Sequence, residues 1–339
     1  MRKHSIDLLK VILVFMILTL HYNHYHIGNG FISNNTYLGL FKFFIESLFI
    51  CASNVFVIIY GYNNIDKNNS LKKNIIKILK IYSVVFIYGF ILSLIYYFLS
   101  NKEVSLELFK TNFISRFFIN NYCLIVLISP LLNKVFTKIN KKIFLFIITI
   151  LSLVFFIIDT FIYDLPIINA GYDIFNFIIL YLIGGYIKQH NKKTSILFGF
   201  IIYIICGVIL LSLFGLNYEW TYYYNNPIVI IESIALFNIF IDINIKENKF
   251  ITKLSSYSLA VYVIHTMDGV LKVLYLQVFK TNIYCKDINV IWNYPLTIIS
   301  IFVGCIIIEY LRRKSRDGLV LLFNNFNKFH KKWFKHRFP

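Results

Sequence analysis

Charge is scarce in this chain. Only 15% of its 339 residues are Asp, Glu, Lys or Arg, whereas a soluble domain carries roughly 25% to coat its surface. That deficit, with 58% hydrophobic residues and a mean hydropathy of +0.68, excludes a water-facing globule. The five cysteines (51, 123, 206, 285, 305) fall mostly within apolar stretches, with no CxxC pair and no metal-ligand spacing. They read as small core residues, not as disulfide or zinc ligands. The first apolar run lacks a small-residue cleavage site, so it reads as a retained helix and not a signal peptide. No sequence repeat is visible, and no soluble domain can be cut from what the apolar runs leave.

What remains is a succession of apolar runs of bilayer-crossing length, about 20 residues each: 7–27, 38–62, 77–99, 113–133, 143–163, 174–188, 195–214, 227–243, 255–277 and 289–311. The fold expected is an all-α polytopic membrane protein of about ten transmembrane helices. Basic residues set its orientation. Arg2, Lys3 and Lys10, the loops holding Lys67–Lys80, Lys134–Lys142, Lys188–Lys193 and Lys246–Lys253, and the tail beyond Arg312 alternate with loops rich in Asn, Tyr and acidic residues. The positive-inside rule then puts both termini in the cytoplasm and assigns most of the net charge of +18 to topology, with no nucleic-acid partner. Residues 1–314 form the transmembrane domain. The tail 315–339 interleaves Leu322, Phe326, Phe329 and Trp333 with Lys328, Lys331, Lys332 and Lys335, a basic amphipathic segment suited to the anionic inner leaflet.

Charged residues inside a span need a reason. Lys10 and His21 are eleven positions apart, within about 20° on a helical wheel, and the helix rise separates them by about 16 Å. Asp7 lies on the same face, one turn below Lys10. The stripe suits a long phosphate-bearing donor: its anionic end rests on inner cations while its reactive tip reaches an imidazole near the far interface. Acyl-coenzyme A has that shape, and His21 would take the proton from an acceptor hydroxyl attacking the thioester. The bland alternative is a snorkelling Lys10 and an interfacial His21.

The motifs resemble those of the acyltransferase-3 family of membrane acyltransferases. Lys10 and His21 match its basic residue–ten residues–His pattern, with Lys where many members have Arg. Phe56 to Tyr62 is similar to the ending of the family's second helix, Lys73 to Tyr82 to the basic cluster opening the third, Tyr122 through Ser129 to Asn133 to a fourth-helix motif, and Tyr181 to Tyr186 and Ser258 to His265 to two later ones. Tyr60 stands where Ser is usual, Asn74 where one Arg is, and Lys80 where Pro is common. The resemblance implies an O-acyltransferase of the plasma membrane, taking acetyl groups from cytoplasmic acetyl-CoA to a hydroxyl of a cell-surface polysaccharide or lipid-linked glycan. It implies His21 as the catalytic base and Lys10, Lys73, Lys77 and Lys80 as the cofactor-binding cations, and Asp7, on the same face of the helix, joins His21 as a catalytic candidate. It also places Tyr122 on the substrate side.

Glu46 in the second span and Glu232 in the eighth are intramembrane carboxylates able to orient an imidazole or pair with a cation. Arg116 opens the fourth span on the outer side, where an anionic acceptor or the interface would engage it. Glu46 and Arg116 join Tyr122 as substrate-binding candidates. His21, His24 and His26 lack a nearby carboxylate or Cys, so no metal is expected. His265, in the ninth span towards its cytoplasmic half, suits helix packing or substrate contact equally. With no extracytoplasmic domain, outer-loop residues such as Tyr218, Trp220, Tyr222 to Tyr224, Asn225 and Asn226 would stack on and hydrogen-bond the acceptor. Surface-polysaccharide assembly proteins are candidate partners. The rival functions are an exporter of a polysaccharide or its precursor, for which inverted repeats and a wide polar path are wanting, and a non-catalytic scaffold.

Overall fold

A computed structural model describes residues 3–337 apart from 25–26, 32–35, 68, 100–116, 163–168, 191–194, 217 and 268–269. Among the described residues every regular element is helical. The longer helices are α1 (His4–Asn23), α2 (Thr36–Phe49), α3 (Ala52–Asn64), α4 (Leu71–Leu99), α5 (Phe117–Phe136), α6 (Lys141–Phe161), α7 (Ile174–His190), α8 (Ile196–Gly215) and α9 (Pro227–Asp242). Two short helices, α10 (Lys249–Ser255) and α11 (Ser258–His265), precede the final helix α12 (Val290–Arg337).

Eight of the described segments are long and apolar enough to cross a bilayer, α2 and α3 together making one of them. The chain is a multi-pass membrane protein. Two of the ten spans expected from sequence fall outside the eight. The sixth is α7, a helix of only 17 residues. The ninth, expected at 255–277, is interrupted: α11 ends at His265, and a π-helical turn runs from Val273 to Val278. Residue-by-residue hydropathy does not register such a break, because both halves remain apolar.

Burial sorts the helices into an inner and an outer set. α1 is buried along most of its length, whereas α6 buries only Phe144 and Ile148. The outward side chains of α4, α6, α8 and α12 are large hydrophobics such as Phe90, Phe146, Phe198 and Ile299, a surface that water would penalise and lipid does not. α12 continues past the last span to Arg337, and its side chains beyond Asp317 lie outside those described, so the amphipathic tail is untouched by these contacts.

Two features hold the inner helices in register. α3 and α7 approach until backbone meets backbone: a Cβ on Gly61 would collide with the Tyr181 carbonyl, and one on Gly184 with the Ile58 carbonyl. Small residues let membrane helices pack this closely. In α5, Pro130 has no N–H to offer the Val126 carbonyl one turn back. That carbonyl accepts instead from Asn74 Nδ2 of α4 at 2.7 Å and from Ser129 Oγ at 2.9 Å. Asn133 then ties α5 to the end of α3 through the carbonyls of Asn64 and Lys67 (2.8 and 3.0 Å), and Tyr181 of α7 donates to it at 2.6 Å.

Replacing Gly184 by Leu should force α3 and α7 apart and cost about 1–3 kcal/mol or more, lowering the apparent Tm of the detergent-solubilised protein. Gly304→Leu, where an added Cβ meets nothing within 4 Å, should leave the Tm unchanged in the same size-exclusion melting assay.

Candidate functional site

One face of α1 defines the site. Lys10, Val14 and Ile17 recur at helical spacing along a cavity of about 390 Å³, within the range of small-molecule sites. The remaining walls come from α3 (Phe56, Tyr60, Asn63), α4 (Lys77), α5 (Phe118, Tyr122) and the α10–α11 segment (Ser255 to Ser258, Tyr262, His265). His21 is the next residue on the α1 stripe after Ile17, four positions further along. Its Nδ1 lies 3.0 Å from Nε2 of the cavity-lining His265, with ring centroids 5.0 Å apart. The cavity therefore runs from lysines at one end to a pair of imidazoles at the other.

At the lysine end, Asp7 is buried. It accepts from Ser255 Oγ at 3.0 Å, and its Oδ1 lies 3.6 Å from Lys10 Nζ. Asp7 is fourteen residues from His21, about 21 Å along the helix, so it does not reach the imidazole expected as its catalytic partner. Its contacts fix Lys10. Lys77 Nζ sits 4.0 Å from the Tyr60 ring centroid and 5.5 Å from that of Tyr122, a favourable cation–π arrangement. Lys10 and Lys67 lie within electrostatic reach of it. Among the described residues no carboxylate is within ion-pair distance of Lys77.

The three lysines of α4 are not equivalent. Lys73 and Lys80 are exposed and line no part of this cavity. They lie about 40–60° round the helix from Lys77 on the same side, enough to turn them away while Asn74 and Ile81 turn inward. Glu46 does not approach an imidazole: it accepts from Asn23 Nδ2 at 2.9 Å, and Tyr294 donates to the other end of that carboxamide, also at 2.9 Å. Glu232 is fully buried against the Cys51 thiol and near Cys206, away from the cavity. Tyr122 is on the cavity wall. Arg116 and His26 lie outside the described residues. All five cysteines are free and buried.

Sequence reasoning left three contributors unassigned. His265 is brought beside His21 because α10 and α11 pack along α1, with Ser255 at the end of α10 against Asp7. Tyr60, visible in sequence only as a departure from the usual Ser, is the nearer ring over Lys77. Ser258 lines the cavity with a buried Oγ that has no hydrogen-bond partner among the described residues. Lys42 was also missed. It is 1% exposed and donates to the Cys285 carbonyl at 2.6 Å, outside the cavity.

A family model described as an acyltransferase domain matches residues 3–310. No curated protein and no solved structure matches the chain.

Lys10 and Lys77 both line this end of the cavity. Lys77→Met or Lys10→Met should weaken pyrophosphate binding roughly 10- to 100-fold, the worth of one charge-assisted contact. Lys73→Met should leave it near wild type, as read by calorimetry in nanodiscs.

Proposed function

The chain belongs to the acyltransferase-3 family, and on that premise we propose that it is an O-acyltransferase of the plasma membrane. It takes an acyl group, most simply acetyl, from cytoplasmic acetyl-CoA to a hydroxyl of a cell-surface polysaccharide or lipid-linked glycan. The observation that supports this reading is the α1 stripe: Lys10, Val14 and Ile17 along one cavity, with His21 next in line.

The cavity's size favours partial entry of the donor. At about 390 Å³ it suits a thin pantetheine arm and leaves the nucleotide at the mouth, where Lys10, Lys67 and Lys77 gather. Lysine serves phosphate as a point charge that tolerates varied geometry. Asn63, Asn64, Ser255, Ser256 and Ser258 along the walls offer partners for the arm's amides, and Ser258 Oγ, without a hydrogen-bond partner among the described residues, is suited to one of them.

The reaction needs one base and one proton return. His21 takes the hydroxyl proton as the acceptor oxygen bonds to the thioester carbonyl carbon. The carbon–sulfur bond breaks as the tetrahedral intermediate collapses, and the imidazolium returns the proton to the leaving thiolate. Ester and free thiol are the products, and no other reagent is consumed. With the basic loops in the cytoplasm, the lysine end faces the donor and the histidine end the acceptor. Tyr172, the exposed ring of a cluster with Phe117 and Tyr224, offers a face for a sugar ring to stack against.

Deleting the gene and complementing with wild type should restore the O-acyl signal of the isolated surface glycan in proton NMR. His21→Ala at equal membrane expression should not, since loss of a general base costs about 10²–10⁴ in rate. Equal restoration by both would remove His21 as the base, and a fall in glycan quantity with unchanged acylation would favour export.

A further inference from the structure

The contact between the two imidazoles has a direction. His265 Nδ1 lies 2.6 Å from the carbonyl oxygen of Val261, one turn back in α11. A carbonyl only accepts, so Nδ1 carries the proton. In a neutral imidazole the other nitrogen is then an acceptor, and that nitrogen, Nε2, is the atom 3.0 Å from His21 Nδ1. The hydrogen between the rings therefore belongs to His21 Nδ1, which leaves the lone pair of His21 on Nε2.

We propose that His265 is a positioning residue for acyl transfer, which through the chain Val261 carbonyl–His265–His21 holds His21 in the tautomer whose Nε2 is the base. The proposal rests on His21 being that base. In the opposite tautomer Nε2 carries a hydrogen and cannot take one from a hydroxyl. His265 is itself held: it is 1% exposed, Tyr262 meets its ring edge-on at 6.0 Å, and the helix breaks immediately after it.

The proton inventory is simple. His21 Nε2 takes the acceptor's proton, the resulting imidazolium keeps its Nδ1–H on His265 Nε2, and Nε2 releases the proton to the thiolate. His265 keeps its own proton on the Val261 carbonyl throughout. Outer partners that orient a functional histidine in metal sites are worth about 10–100-fold, and the same scale is expected here.

The test uses the full-length protein in nanodiscs, with nitrogen-15-labelled histidine and His21 assigned by difference from His21→Ala. Solid-state NMR should show His21 protonated at Nδ1 and unprotonated at Nε2; the reverse in wild type would overturn the proposal without any variant. Kinetics with acetyl-CoA and alkali-deacylated surface glycan supply the second arm. His265→Leu should lower kcat roughly 10- to 100-fold with KM for acetyl-CoA unchanged. His265→Gln, whose carboxamide oxygen can accept from His21 Nδ1, should recover most of that loss. Equal kcat for the Leu and Gln variants, whether both slow or both at the wild-type rate, contradicts the proposal while leaving the base assignment standing. A fully active His21→Ala instead removes the base assignment, and the proposal with it. Should the Leu variant not fold, the wild-type tautomer and the Gln variant still decide.

Discussion

Inside a bilayer there is no water to satisfy a stranded polar group, and each unsatisfied backbone or side-chain group costs several kcal/mol. Most of this molecule's polar chemistry is arranged around that constraint. The carbonyl orphaned by Pro130 is met by Asn74. Glu309 accepts from Tyr88, Arg312 and Arg313. Glu46 shares the Asn23 carboxamide with Tyr294. Against this background of pairing, Lys77, caged by rings and with no carboxylate in ion-pair distance among the described residues, and Ser258, whose hydroxyl has no hydrogen-bond partner among them, stand out because both face the same cavity.

The same constraint explains why the cavity has two unlike ends. A cation is tolerated where it can lean to the interface or onto aromatic faces, which is the position of Lys10 and Lys77. An imidazole pair can be neutral and hydrogen-bonded to itself, which is how His21 and His265 meet at the far end of the apolar passage. In the proposed reaction, the separation of about 16 Å along α1 would set charge recognition apart from proton transfer, a division that suits a donor and an acceptor arriving from opposite sides. The loop after α1 folds back on the helix end, with Gly28 and Gly30 donating to the carbonyls of His21 and Tyr22, and this fixes the backbone that carries the imidazole.

Much of the site was legible in the sequence because it lies on one helix. The periodicity of α1 is enough to align Lys10 with His21; Lys10 lines the cavity, and His21 meets it through the cavity-lining His265. The multi-pass helical character was equally plain from apolar run lengths. What periodicity could not supply was contact between distant segments. His265 is 244 positions from His21, and its role depends on the α11 helix stopping where it does. Among Lys73, Lys77 and Lys80, charge alone gives no ranking, and a rotation of about 40–60° on the wheel becomes meaningful only once Asn74 is known to face inward. Asp7 looked like a partner for His21 because it shares its face, yet helix rise sends it to Lys10. Tyr60 is similar: as an isolated substitution it carries no message, and beside Lys77 it is half of a cage.

The account stands or falls on what occupies the cavity. The most direct measurement is an electron cryomicroscopy map of the protein in nanodiscs with a hydrolysis-resistant acetyl-CoA analogue. The account predicts the diphosphate against Lys10 and Lys77, the pantetheine arm along Val14 and Ile17, and the acyl carbon close to His21 with its Nε2 open to an acceptor. An analogue bound elsewhere, or one whose acyl end lies at the lysines and far from His21, would contradict it.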